Sequence, residues 1–275
     1  MAGKPVKSWP ERPERSQFCA AVRHGIIRQS LDSRVGHIGS ALSVVEMISV
    51  LWNDILRDPG SNDPDRDRFI LAKGHAALAL YMTMHFRGLL DEETLRTFCC
   101  DGSQLGVHPE FGLPGVEIST GSLGQGLSVA CGIALAIRRR NSPARVFVLM
   151  SDAECNEGQV WEAAMFAAHH RLDNLVALVD VNGMQAMGPT RQVLDMAPLA
   201  RRFEAFGWHE QEVDGHDEDA LRYALTKGIA NREGPAILLA RTVAGKGVHF
   251  MERQLEWHYR NIDAKLAEQA LQEIG

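Results

Sequence analysis

A doubly wound, mostly parallel α/β sheet flanked by helices is the fold class that the sequence predicts, and three observations carry it. Residues 146–150 (VFVLM) and 175–179 (LVALV) are apolar without interruption, as strands covered on both faces are. The stretch between them, 161–169, has the length and composition of a helix, and a crossover of that kind joins neighbouring parallel strands. Finally, 45% apolar and 23% charged residues in a chain of 275 is ordinary globular usage, which excludes disorder, collagen and coiled coil.

The elements follow in order. A first helix starts near Ser16, because Phe18, Val22, Ile26, Ile27 and Leu31 recur at helical spacing, and it stops near Gly36 and Gly39. Residues 43–56 repeat the pattern. A polar stretch, 58–67, precedes the short apolar run 69–71, which reads as a strand. Lys73, Gly74 and His75 open a helix to about Met84, and a glycine-rich loop, 101–121, leads into a small-residue helix over 123–138 that reads as buried. Beyond the central strands, runs at 208–213 and 236–240, separated by a helical stretch at 217–229, continue the alternation. A charged helix over 263–274 ends the sequence. Residues 1–16, with Lys4, Lys7, Arg12 and Arg15 among prolines, read as a flexible arm, and 17–275 as one domain.

Burial of about three quarters of the unfolded surface is within reach of a chain this long, so folding needs no disulfide or structural metal. Lys and Arg total 29 against 35 Asp and Glu, a formal charge of −6. That balance argues against a general nucleic-acid binder and against an anionic-membrane protein, both of which need a basic face. The five cysteines are odd in number and form no C-x-x-C pair, so a reducing cytoplasm is expected. No run approaches the roughly 18 apolar residues of a membrane span.

In a doubly wound sheet, ligands bind beyond the carboxyl ends of the strands. Asp152 follows the first central strand and Asn182 the second. If these strands are neighbours, a carboxylate and an amide oxygen converge, a hard-oxygen pair suited to Mg²⁺. A helix beginning near Glu157 offers its N-terminus to an anion at the same place. Taken singly, each residue is equally a turn former or a helix cap.

The pair gains its meaning from a wider pattern. Ser151-Asp152-Ala153-Glu154 through Asp180-Val181-Asn182-Gly183 resembles the thiamine-diphosphate motif of transketolases, G-D-G followed at a distance by N; here 29 residues separate Asp152 from Asn182. Gly36-His37-Ile38-Gly39, Lys73-Gly74-His75, His108-Pro109-Glu110, Thr120-Gly121-Ser122-Leu123-Gly124-Gln125-Gly126 and Gly245-Lys246-Gly247-Val248 occur in the same order as in that family. The resemblance covers nearly the whole chain after residue 16, and matches only the family's N-terminal domain, which holds the cofactor diphosphate.

The resemblance implies roles residue by residue. Asp152 and Asn182 would bind Mg²⁺ or Ca²⁺ through side chains, and Met184 through its carbonyl. His75, Gly121, Ala153, Glu154 and Lys246 would contact thiamine diphosphate, with Leu123 supporting its thiazolium ring. His37, His108 and His258 would act on the substrate, and Glu157 would sit at a subunit contact. Proton donors suit this chemistry, since an alkoxide must be stabilised before a carbon–carbon bond breaks, and imidazoles both donate and accept near neutral pH. His169, His170, His209 and His216 read as surface or packing residues.

Two departures from the family stand out. Ser151 and Ala153 replace the glycines flanking the aspartate, and Tyr259 follows His258 where split relatives commonly carry glycine, narrowing the substrate funnel or moving His258. The glutamate and aromatic residue that act on the cofactor's aminopyrimidine lie in a further domain that has no counterpart in these 275 residues. The resemblance therefore implies an enzyme split over two chains, this subunit with a separate C-terminal, pyrimidine-binding subunit, as a heterotetramer. The expected reaction is transfer of a two-carbon ketol unit from a ketose, phosphorylated or otherwise modified, to an aldose. Two alternatives stand beside it: an acyloin-forming carboligase subunit with a 2-oxo acid donor, and a non-catalytic regulatory subunit.

Overall fold

The computed structural model describes residues 13–230 and 233–274. A five-stranded sheet, all parallel, forms its centre: β1 (Arg68–Leu71), β2 (Val146–Ser151), β3 (Leu175–Val181), β6 (His209–Asp214) and β7 (Ala236–Arg241), in the spatial order β1-β2-β3-β7-β6. A two-residue hairpin, β4 (Met184–Gln185) with β5 (Gly188–Pro189), stands apart from it. Side chains alternate between two apolar cores. Phe147, Leu149, Val176 and Leu178 face one, which is built from α1 (Phe18–Ser33), α2 (Ile38–Ser43), α3 (Val45–Val50) and α4 (Ala77–Phe86) and reaches the later α10 (Glu218–Ala230) and α11 (Ala264–Ile274). Val146, Val148, Met150, Ala177 and Val179 face the other, under α6 (Gln125–Arg139), α7 (Gly158–His169) and α9 (Leu199–Ala205). Covering on both faces is why β2 and β3 are apolar at every position of their centres.

Several expectations need correction. Residues 43–56 are not one helix: α2 already begins at Ile38, α3 follows after Val44, and a single π-helical turn closes the run at Leu51–Ile55. All residues of α2 and α3 are buried, so apolarity all round hid the breaks. α6 is not buried on every side; Gly132 and Ala136 face solvent while Leu127, Ala130, Ala134 and Ile137 pack on the sheet. Small residues look buried in a sequence whichever way they point. The short helices α5 (Glu92–Arg96) and α8 (Thr190–Val193) were not expected from the pattern. Of the N-terminal arm, residues 1–12 lie outside the described residues. Arg15–Gln17 form a 3-10 turn, with the Arg15 guanidinium 2.5 Å from Asp54.

Close approach of α6 to the sheet depends on Gly126. A Cβ there would lie 2.3 Å from the Ala72 methyl and 3.0 Å from its Cα. Gly126→Val is expected to cost about 1–3 kcal/mol through overpacking, read from the urea midpoint. Gly132→Ala, in open space on the same helix, should gain roughly 0.5–1 kcal/mol. Equal midpoints for the two variants would show that α6 does not seat as described.

Candidate active site

The register of β2 against β3 sets Ser151 opposite Asp180, so Asp152 and Asn182 leave the sheet side by side. Asp152 Oδ2 accepts from the Gly183 amide at 2.9 Å and its Oδ1 from the Ala153 amide at 2.8 Å, while Asn182 Oδ1 accepts from the Met184 amide at 2.9 Å. Both side-chain oxygens are thereby tied to one turn, 182–184. Burial and the neighbouring Asp180 push the Asp152 carboxyl up to about 7. A cation seated on these oxygens would offset that cost.

The substituted glycines have local explanations. Neither Ser151 nor Ala153 has a positive φ, so neither position demands glycine in this chain. The Ser151 hydroxyl accepts from the Glu154 amide at 3.1 Å, within the 3-10 turn Ala153–Asn156 that Asp152 caps. That turn, rather than a helix N-terminus, follows Asp152 directly; α7 starts only at Gly158.

A cleft of about 450 Å³ opens beside the turn, within the range of small-molecule sites, and its walls include His37, His75, His108, His258, Gly121, Leu123, Ala153, Asn182 and Met184. Asp152 lines an adjoining cavity that shares Asn182. The four imidazoles form a cluster: the His37 ring lies 5.5 Å from His75, 6.1 Å from His108 and 5.2 Å from His258, and His75 lies 5.3 Å from His258. His37 caps α2 from the left-handed region, at φ 64°, and its amide donates to the His258 carbonyl at 3.2 Å. Tyr259 stands 60% exposed at the rim, its ring 4.8 Å from His258 and 6.1 Å from His37.

Two of the expected site residues, Glu154 and Lys246, stand off the cleft. Glu154 is fully buried, with its carboxylate oxygens accepting from the Gly124 amide at 2.8 Å and the Ser151 amide at 3.3 Å. It braces the 121–125 loop onto the 151–154 turn and does not line the cleft, and burial raises its carboxyl to about 7. Lys246 also lies off the cleft, its ammonium 4.0 Å from Glu252 and its carbonyl accepting from Arg23. Glu157 reaches the cleft edge but is exposed, packed against Gly124, where φ is +89° and a Cβ would meet Glu157 Cβ at 2.6 Å. His216 is a packing residue: its Nε2 accepts from the Val243 amide and its Nδ1 donates to Glu46, which also pairs with Arg23.

The sequence reading missed a polar knot beneath the site. Lys73 and Asp180, both fully buried, form an ion pair, and Asp180 also accepts from Ser43 at 2.7 Å, from Thr242 and from the Asn182 amide at 2.9 Å. A signal existed. Asp180 interrupts a strand that is otherwise apolar from Leu175 to Val181, and a charge in a buried run requires a partner.

Burial is the leading cause that lowers all four imidazoles, His258 to about 4 and His75 well below its usual value. The cluster is therefore neutral through the neutral pH range. For His258 the unfolded chain takes up its proton near 6.5 and the folded one near 4, so its contribution to stability is present above 6.5 and is lost as pH falls between these values. His258→Gln should flatten the loss of stability between pH 7 and pH 4.5, measured by urea unfolding. Parallel pH profiles for variant and parent would rule out a buried neutral His258.

Comparison with known proteins agrees with this geometry. The family model described as "Transketolase, thiamine diphosphate binding domain" matches residues 15–275. The 6-deoxy-6-sulfo-D-fructose transketolase subunit of a Clostridium species is 37% identical over 243 residues, covering 87% of this chain and 88% of that protein. An apulose-4-phosphate transketolase subunit of Phocaeicola vulgatus is 38% identical over 246 residues, covering 88% and 87%. A crystal structure of transketolase from Campylobacter jejuni superposes with a TM-score of 0.86 at 27% identity, covering 94% of this chain and 42% of that one. The chain belongs to the transketolase family, as a thiamine-diphosphate-binding domain of a transketolase-type transferase whose similar relatives include subunits of nearly its own length.

Proposed function

We propose that this chain is the diphosphate-binding subunit of a split transketolase of the cytoplasm. With thiamine diphosphate and Mg²⁺ or Ca²⁺ it would move a two-carbon ketol unit from a ketose, phosphorylated or otherwise modified, to an aldose, in a heterotetramer with a separate C-terminal subunit. The carrying observation is the convergence of four neutral imidazoles on a cleft that ends at the Asp152–Asn182 turn. Two relatives of which this chain covers 88% and 87% bear the names of transketolase subunits for a sulfosugar and for a sugar phosphate, which supports both the partner and the modified ketose. The cysteines are all free, in keeping with a reducing compartment.

The residues present fit the two groups. A carboxylate from Asp152, an amide oxygen from Asn182 and the Met184 carbonyl are the hard donors that Mg²⁺ and Ca²⁺ take. His37 Nδ1 is buried without a hydrogen-bond partner among the described residues, and a polar ligand in the cleft would satisfy it. When bound, thiamine diphosphate supplies the nucleophilic carbon and the electron sink for breaking a carbon–carbon bond beside a carbonyl.

The chain's own residues then do the rest. His75, in the cleft wall, would contact the diphosphate. His37 and His108, also in the cleft wall, would act on the hydroxyl and carbonyl oxygens of a substrate, each able to donate one proton and accept another because it is neutral. His258, 3.5 Å from the Ser40 hydroxyl through Nδ1, is held by that contact and by its carbonyl's bond to His37. Leu123 gives the cleft an apolar patch for a ring, and Glu157 lies exposed at the edge where a second subunit would meet it.

The complex isolated with its partner chain should transfer ketol units from ketoses to aldoses, followed by chromatography of the products. In that complex, Asp152→Ala should weaken thiamine-diphosphate binding at least about tenfold, measured by calorimetry. Unchanged affinity would remove the diphosphate-site assignment, and acyloin formation from pyruvate in place of ketol transfer would move the reading to carboligation.

A further inference from the structure

Asn182 offers two chemically different ends to whatever lies beside it. Only the oxygen can serve a cation, and the NH₂ turned the same way would repel one. The polar knot beneath the sheet decides between these orientations. Asp180, two residues earlier on β3, is the counter-charge of the buried Lys73 ammonium. As a carboxylate it only accepts hydrogen bonds, and the groups around it are all donors: Lys73, the Ser43 hydroxyl, the Thr242 hydroxyl and Asn182 Nδ2. The Ser43 oxygen, having given its proton to Asp180, accepts from Asn182 Nδ2 at 3.3 Å. The NH₂ is thus consumed on the Asp180 side. Oδ1 is turned to the Met184 amide, a single donor that leaves one oxygen lone pair free.

Stability gives no sufficient reason for such a pair. A fully buried Lys–Asp contact must overcome the desolvation of both ions, and apolar replacements of similar volume are often as stable or more so. Its position supplies the reason. Four segments far apart in sequence, at residues 43, 73, 180 and 242, meet at the one carboxylate that touches the Asn182 amide.

We infer that Asp180 is a positioning residue for the cation site: held by Lys73, Ser43 and Thr242, it fixes the Asn182 carboxamide with its oxygen toward the ion. This rests on the metal-site reading given above and extends it to Asp180, which lines neither the cleft nor the adjoining cavity. Lys73 acts one step further back, keeping Asp180 charged and in place.

The test uses the full chain assembled with its partner subunit. Retention of radiolabelled thiamine diphosphate is measured by equilibrium dialysis against rising Mn²⁺, a cation of the same oxygen-seeking kind. Asp180→Asn can present either end of its own amide to Asn182, so the orientation is no longer imposed. The half-saturating Mn²⁺ concentration should rise roughly 10- to 100-fold. Adding Asn182→Asp places an oxygen at both ends of residue 182, which makes orientation irrelevant and keeps one carboxylate near Lys73. The double variant Asp180→Asn/Asn182→Asp should therefore recover most of the loss at a Tm no higher than that of Asp180→Asn, a rescue without restabilisation that a merely structural role for Asp180 does not predict.

The inference is overturned if Asp180→Asn leaves the Mn²⁺ requirement unchanged. It is equally overturned if the loss persists in a double variant that assembles with an unchanged Tm. Where Asp180→Asn alone fails to assemble, the double variant against the parent decides on the same criterion. Failure of the underlying reading looks different: the parent complex itself would retain no cofactor at any Mn²⁺ concentration, and the inference would fall with it.

Discussion

The parallel pairing of β2 with β3 is the constraint on which the rest of the molecule depends. Its register sets Ser151 against Asp180 and so delivers Asp152 and Asn182 to one turn although 29 residues lie between them in sequence. A slip of one residue would turn the slipped strand inside out, exchanging its side chains between the two cores. Here each face is covered by helices, so register is fixed by packing on both sides at once. The catalytic end of the sheet inherits its geometry from hydrophobic burial that has no catalytic role.

Much of this was legible because it is repetitive. Uninterrupted apolarity at 146–150 and 175–179 announces covered strands, and the residues after such strands are where a ligand belongs. The ordered motifs singled out His37, His75, His108 and His258, which the fold brings to one cleft although no local pattern links them. What escaped was of another kind. Asp180 and Lys73 were visible as charges in apolar stretches, yet their mutual contact is a tertiary fact. Glu154 and Lys246 lie inside motifs, but a motif does not say which way a side chain turns. Glu154 was claimed by two backbone amides of its own neighbourhood. The breaks between α2, α3 and the π-turn were hidden by burial on all sides, which erases helical periodicity.

Electrostatically the site is divided into two layers. Below lies the charged knot of Lys73 and Asp180, compensated within itself; above lie four imidazoles whose charge burial suppresses. An anionic diphosphate would meet donors that carry no competing positive charge, and a hydroxylated substrate would meet groups that can pass a proton in either direction. Lys73, the one lysine or arginine among the cleft's lining residues, is neutralised by its pair with Asp180. The division lets binding and proton handling be tuned separately.

The tie between the His37 amide and the His258 carbonyl, with a second between the Gly245 amide and the Gly39 carbonyl at 2.9 Å, joins two stretches more than 200 residues apart in sequence. It sets an order of events during synthesis. Residues 37 to 182 leave the ribosome well before 245 to 258, so the turn and three of the imidazoles are made while the cleft still lacks a wall. A nascent chain has no complete cleft until residues 244–259 have been made and laid against α2. Closure of the cleft is thereby coupled to the late docking of these residues on α2.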